Sequence, residues 1–88
     1  LSLENIDGYW GYCIGNRPII PPVYDSGYEF HEGLAAVSVG DCRHYINAEG
    51  VPVLKCPQYE DIQSFRNGVA VVVENGIHKH INRNGEII

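Results

Sequence analysis

Phe-His-Glu-Gly-Leu-Ala-Ala-Val at residues 30–37 recurs 35 positions later as Phe-Arg-Asn-Gly-Val-Ala-Val-Val at residues 65–72. Residues on both sides of this stretch match at the same spacing: Pro22 with Pro57, Tyr24 with Tyr59, Asp25 with Glu60, Ile46 with Ile81, Asn47 with Asn82 and Gly50 with Gly85. So many matches in one register indicate a tandem repeat. An earlier, partial copy lies upstream at a spacing of 33, where Tyr12 matches Tyr45.

The repeat register predicts how the chain is organised. We expect a single domain, divided into a partial repeat at 1–28, a repeat at 29–63 and a partial repeat at 64–88. Stacked repeats bury a continuous core only when several adjoin, and their terminal copies need polar caps. The register therefore favours a segment of a longer array.

The residue pattern of each copy predicts three short strands. Its apolar residues do not recur at the spacing of a helix. Gly40-Asp41 and Asn75-Gly76 lie between apolar runs, and Asn-Gly is a strong two-residue hairpin signal. The strands are predicted at 34–39 and 69–74 before these turns, at 42–47 and 77–82 after them, and at 51–55 as a third strand. A loop then leads to the next Phe. The predicted fold is an all-β meander of ~35-residue repeats, either solenoid-like or propeller-like.

Composition and charge limit the partners and the compartment that we expect. The 88 residues include 6 Lys and Arg against 11 Asp and Glu, for a formal charge of −5. Nucleic acid and anionic membrane would meet net repulsion, so neither is an expected partner. No apolar run approaches the ~20 residues of a membrane-spanning helix. Three cysteines without C-x-x-C spacing argue against a disulfide framework and favour a reducing compartment such as the cytoplasm.

Several of these segments together resemble a known family. Trp10-Gly11-Tyr12, the Pro-Pro-Val-Tyr-Asp at 21–25 and the repeated segment at 30–37 are similar to the WG-containing β repeat, also called the KWG repeat. The Trp-Gly pair occurs once, since Arg43-His44 and His78-Lys79 replace it in the later copies. The resemblance implies an all-β repeat protein of mostly bacterial occurrence, with no catalytic residues or cofactor.

Side chains alternate between the two faces of the second strand in each copy. Residues at equivalent positions of the three copies, which we call columns, therefore fall into two sets. The apolar set is predicted to be core: Tyr9 and Cys13, Cys42 and Ile46, Ile77 and Ile81. The other set is predicted to form a ladder of planar side chains on the opposite face: Trp10, Tyr12, Arg43, Tyr45, His78 and His80. Cross-strand packing at a half-buried face would explain the ladder. A recognition surface for a protein, peptide or glycan is the functional alternative.

Cys13 and Cys42, in the core columns, are predicted to be unreactive thiols, whereas Cys56, beside Pro57, is predicted to be accessible.

Metal and enzyme hypotheses rest on weaker signals. Cys42-x-His44 and His78-x-His80 carry ligand types that zinc accepts, but the two pairs have opposite parity, so no metal site is predicted. The sequence has no phosphate loop, no G-x-S-x-G and no H-E-x-x-H. Asp25 and Glu60 are repeat-equivalent, which predicts one structural role used twice. The sequence therefore favours a non-catalytic binding module, with self-association through unpaired end strands as the alternative and a metal-dependent enzyme as a distant third.

Overall fold

A computed structural model describes residues 1–56 and 59–88, so Pro57, the repeat partner of Pro22, lies outside the described residues. The described strands form three antiparallel sheets, which we call units 1, 2 and 3. Unit 1 comprises β1 (Ser2–Ile6), β2 (Tyr9–Ile14) and β3 (Arg17–Tyr24). Unit 2 comprises β4 (Ser26–Gly27), β5 (Ala35–Val39), β6 (Cys42–Ile46) and β7 (Pro52–Lys55). Unit 3 comprises β8 (Asp61–Ile62), β9 (Val69–Glu74) and β10 (Ile77–Asn82).

The predicted all-β repeat is confirmed. Strands β9 and β10 have the bounds expected from the sequence, and β5 begins one residue later than expected. Asn75 and Gly76 adopt φ angles of 53° and 77°, the positive values that a tight hairpin turn requires. The expected loops before Phe30 and Phe65 each contain a two-residue strand, β4 or β8, which pairs with the outer edge of β5 or β9.

The three units stack in chain order, and the middle sheet is covered on both faces. Ala35 and Val37 of β5 belong to a hydrophobic cluster shared with unit 1. Leu34 and Ala36 belong to a second cluster shared with unit 3. The described residues extend over 39 × 25 × 16 Å, an elongated stack of the solenoid-like kind. Among the described residues, no helix is long and apolar enough to cross a membrane.

The predicted core columns are correct at one end of each hairpin and wrong at the other. Ile46 and Ile81 are fully buried, and Cys13 is 9% exposed. Their partners next to the turns face solvent instead, with Tyr9 49% and Ile77 60% exposed. Each of these exposed residues directly follows a hairpin turn, at the end of its strand.

The same geometry corrects the cysteine prediction. Cys42 sits beside the turn between β5 and β6 and is exposed, although it occupies a predicted core column. Cys56 is buried in the cluster between units 2 and 3 rather than accessible, and burial raises the pKa of its thiol to about 11. Cys13 is buried as expected.

Candidate functional site

The six residues of the predicted ladder occupy equivalent positions, and those of units 1 and 2 face the following unit. Tyr12 and Tyr45 are both 0% exposed, so they are fully buried where half-buried packing or a recognition surface was predicted. Trp10 is partly buried and packs with Tyr12 against the cluster between units 1 and 2. A neighbouring sheet therefore covers this face in units 1 and 2, which the alternation of side chains along a single strand does not reveal.

Each buried tyrosine joins its own unit to the next. The Tyr12 hydroxyl donates a hydrogen bond of 2.6 Å to the Tyr28 carbonyl oxygen, and its ring meets Phe30 edge-on at a centroid distance of 4.8 Å. The Tyr45 hydroxyl donates to the Gln63 carbonyl oxygen, also at 2.6 Å, and its ring meets Phe65 edge-on at 4.8 Å. The two junctions therefore use one repeated contact, which we call the Tyr–Phe junction.

Burial acts on these hydroxyls in the same way at both junctions. Removal from water raises the pKa of Tyr12, with a smaller contribution from Tyr24. It also raises the pKa of Tyr45, where Cys56, Asp61 and Tyr59 add to the effect. Both phenols therefore stay protonated as hydrogen-bond donors over the physiological pH range.

A carboxylate reinforces the junction between units 2 and 3. Phe65 is followed by a tight turn in which Asn67 and Gly68 have φ angles of 53° and 79°. The Glu32 carboxylate accepts hydrogen bonds from the backbone N–H groups of both residues, the bond to Gly68 being 2.8 Å long. Arg83 in turn donates to the Glu32 carbonyl oxygen at 2.7 Å. Unit 2 therefore holds both the Phe ring and the turn that follows it.

In unit 3 the equivalent face is open. His80 occupies the position of Tyr12 and Tyr45, and it is exposed, as is its ladder neighbour His78. Arg43, the remaining ladder residue, is half-buried in unit 2, and its Nη1 lies 3.5 Å from the Tyr59 carbonyl oxygen. Of the six predicted residues, the structure thus places His78 and His80 together on an accessible face.

A cleft of about 570 Å³ lies beside β9 and the segment that precedes it, and Tyr28 of unit 2 also contributes to its lining. Its lining combines apolar side chains with one cation and several polar groups: Tyr28, Gln63, Ser64, Arg66, Val69 and Val71. None of these was predicted as a site residue. The signal was present in the repeat, because Val69 and Val71 align with Leu34 and Ala36, which lie under unit 3.

The repeated acidic residues have structural partners. The Asp25 carboxylate accepts a 2.6 Å hydrogen bond from the backbone N–H of Gly40, in the β5–β6 turn. The Glu60 carboxylate accepts a 2.7 Å bond from the N–H of Gly76, in the β9–β10 turn. The prediction of one structural role used twice is confirmed, since each carboxylate holds the hairpin turn of its unit.

The cysteine and histidine pairs lie apart. His44 faces unit 1, where its ring meets that of Tyr24 edge-on at a centroid distance of 6.1 Å. Burial, and to a smaller extent Lys55, lowers the pKa of His44. His78 and His80 lie on the opposite side of the stack, facing away from unit 2. Across residues 1–56 and 59–88, no group of three or more His, Cys, Asp and Glu side chains is placed to hold a metal ion.

Steric crowding explains why the second residue of the Trp-Gly pair is a glycine. A Cβ atom on Gly11 would lie 2.5 Å from the Ile20 carbonyl oxygen and 2.8 Å from the Pro22 nitrogen. The pairing of β2 with β3 shifts register on either side of Tyr12, so β3 folds closely over Gly11. Only a residue without a side chain fits beneath that strand.

Stacked antiparallel sheets joined by a repeated contact define a tandem β-repeat protein. Within that class, the sequence model of the WG containing repeat matches residues 15–41 and 45–76, more than half of the chain. The chain belongs to the WG containing repeat family. No curated protein and no solved structure is significantly similar to it.

Proposed function

We propose that the chain is a non-catalytic binding module whose partner is a protein, a peptide or a glycan. The observation that carries this proposal is the cleft of about 570 Å³, whose lining combines apolar side chains with one cation and several polar groups. Concave sites that combine apolar walls with a few polar groups are typical of ligand binding.

The chemistry of the described side chains supports a module without catalysis. Asp25 and Glu60 are engaged with backbone N–H groups of turns, so neither is presented to a substrate. Tyr12 and Tyr45 are fully buried and act as hydrogen-bond donors inside the stack. The charge of −5 supports a partner other than nucleic acid or an anionic membrane.

The proposal is tested by exposing the labelled chain to a peptide array and a glycan array. We expect saturable binding to one of the two classes, and loss of that binding in Val71→Glu, which adds a charge beside the cleft. Ile77→Glu is the matched control, because Ile77 is an exposed apolar residue of the same unit on the opposite face. A folded chain that binds nothing on either array would contradict the proposal.

A second candidate function is self-association through end strands. The outer edges of β5 and β9 are paired with β4 and β8, whereas among the described residues β1 pairs on one side alone, with β2. An unpaired strand edge can hydrogen-bond to a strand of another chain. Light scattering over a wide range of protein concentration tests this candidate, which requires oligomers that grow with concentration.

A further inference from the structure

A second pocket, of about 140 Å³, lies at the junction between units 2 and 3. Described residues of both units form its walls, and those with polar or aromatic side chains are Ser26, Tyr28, Ser38, Arg43 and Asp61. Tyr28 also lines the larger cleft, so the pocket and the cleft adjoin at this residue.

Three polar side chains form a row across unit 2 on one side of the pocket. Ser26 lies opposite Ser38 in the pairing of β4 with β5, and Ser38 lies opposite Arg43 in the pairing of β5 with β6. Directly opposed residues of antiparallel strands point to the same face of a sheet. Unit 3 contributes Asp61 of β8 to the same pocket. The pocket thus combines one cation, one carboxylate and two hydroxyl groups.

The repeat shows what occupies this position at the first junction. Trp10 is the equivalent of Arg43, and Gly27 is the equivalent of Ile62, which also lines the pocket. Trp10 packs against the cluster between units 1 and 2, and a Cβ atom on Gly27 would lie 3.7 Å from the Trp10 Cβ. The pocket therefore lies where the first copy places a flat ring.

We infer that the pocket binds one sugar ring of a glycan. This inference rests on the proposed binding function and names the class of ligand. A sugar hydroxyl both donates and accepts hydrogen bonds, so it can donate to the Asp61 carboxylate and accept from the Arg43 guanidinium. A small anion would be repelled by Asp61 and a small cation by Arg43, so the pair favours a neutral ligand.

Both charged groups retain hydrogen-bonding capacity for such a ligand. Arg43 has five N–H donors, and within the described residues its Nη1 makes one long contact, 3.5 Å from the Tyr59 carbonyl oxygen. The Asp61 Oδ1 accepts a 3.0 Å bond from the Ile62 N–H, and a carboxylate can accept several more. The side chains are therefore placed to bind hydroxyl groups.

The size of the pocket and its aromatic rim fit a single ring. A volume of about 140 Å³ corresponds to about four or five water molecules, so a sugar ring can enter edge first. Tyr28 is 46% exposed and offers an apolar ring surface to the carbon-bearing face of a sugar. The adjoining cleft has room for the rest of a glycan chain.

The probes are the methyl glycosides of glucose, galactose, mannose and N-acetylglucosamine, each titrated into the ¹⁵N-labelled chain. We expect saturable amide shift changes around Ser26, Ser38, Arg43 and Asp61 with at least one glycoside. The dissociation constant for one ring should be on the order of 1 mM. Glycine is the zwitterionic probe, and shift changes at the pocket with glycine but with no glycoside would overturn the inference.

Two pairs of variants give the matched test. Asp61→Asn removes the charge but keeps a carbonyl for the Ile62 N–H, and it should weaken glycoside binding by about tenfold, as expected for a hydrogen bond to a charged group. Asp41→Asn is its control, because Asp41 is an exposed acid in the β5–β6 turn. Tyr28→Ala should weaken binding by about threefold or more, whereas Tyr9→Ala, which removes a ring of similar exposure, should not.

Arg43→Trp gives a complementary test, since it installs the residue of the first copy and fills the pocket. It should abolish glycoside binding. If Arg43→Trp does not fold, Arg43→Gln removes the guanidinium without added bulk and should weaken binding by about tenfold. Shift changes centred away from the pocket, or equal binding by Asp61→Asn and Asp41→Asn, would overturn the inference.

The two proposals fail separately. If the arrays yield a peptide whose binding Val71→Glu abolishes, and none of the four glycosides binds, the sugar site is wrong and the binding module stands. If the folded chain binds neither array nor any glycoside, both proposals are contradicted.

Discussion

Removal of the Tyr45 hydroxyl tests whether the Tyr–Phe junction stabilises the stack. Tyr45→Phe keeps the ring against Phe65 and deletes the 2.6 Å hydrogen bond to the Gln63 carbonyl oxygen. A hydrogen bond of this kind contributes about 0.5–1.5 kcal/mol net, and an acceptor left without a partner adds to the loss. We therefore expect Tyr45→Phe to lower the free energy of unfolding by about 1–2 kcal/mol.

The assay is urea unfolding followed by far-ultraviolet circular dichroism and tryptophan fluorescence. Because Trp10 lies in unit 1, coincident transitions would show that the units unfold together. The slope of free energy against urea should stay unchanged, since the same surface is exposed on unfolding. A smaller slope would show instead that unit 3 unfolds separately once its junction is weakened.

Two variants complete the design. Tyr9→Phe deletes a hydroxyl from a tyrosine that is 49% exposed and should change stability by less than about 0.5 kcal/mol. Tyr12→Phe deletes the equivalent bond at the first junction, and its effect should add to that of Tyr45→Phe because the sites share no contact partner. If Tyr45→Phe is no more destabilising than Tyr9→Phe, the junction does not stabilise the stack as argued.

Three further predictions concern sterics, thiol reactivity and pH. Gly11→Ala should cost about 2 kcal/mol or more in urea unfolding, because its Cβ would overlap the backbone of β3; a neutral result would refute the close approach. In thiol titration without denaturant, Cys42 should react first while Cys13 and Cys56 stay protected, and equal rates would contradict the burial pattern. The folded state raises the pKa of Cys56 from 9.0 to about 11, so it favours the neutral thiol. The resulting stability is fully present below pH 9.0 and is lost as the pH rises through 11. Burial raises the pKa of Tyr45 as well, so unfolding by alkali should continue at still higher pH.

The sequence was sufficient for the repeat and its hairpins, because turn chemistry and strand alternation are local. Asn75-Gly76 has the φ angles that its residue types favour, and the flanking strands have the predicted bounds. Alternation placed Tyr45 and Ile46 on opposite faces of β6 correctly. It missed the full burial of Tyr12 and Tyr45, since the period of two separates the faces of a strand without showing what covers them. In a three-layer stack both faces of the middle sheet are interior, and only the relative position of the units reveals this.

The open face of unit 3 could not be predicted from the sequence for the same reason. His80 reads as one more member of a ladder, and Val71 reads as one more apolar strand residue. Whether a neighbouring sheet covers such residues depends on how the units pack, which no local pattern records. The repeat alignment pairs Val69 and Val71 with Leu34 and Ala36. It would have pointed to the cleft if these positions had been assigned to a junction between units rather than to a surface.

The Tyr–Phe junction gives the stack a direction. At both junctions the tyrosine belongs to the earlier unit, and the phenylalanine and the accepting carbonyl belong to the later one. The two faces of unit 2 are therefore chemically different, because Phe30 packs against unit 1 and Tyr45 packs against unit 3. A duplicated unit inserted in the same orientation would carry a tyrosine forward and a phenylalanine backward, so it could join both neighbours without any change in their sequences. An inverted unit would set like against like at each new boundary, and the array can lengthen in one orientation only.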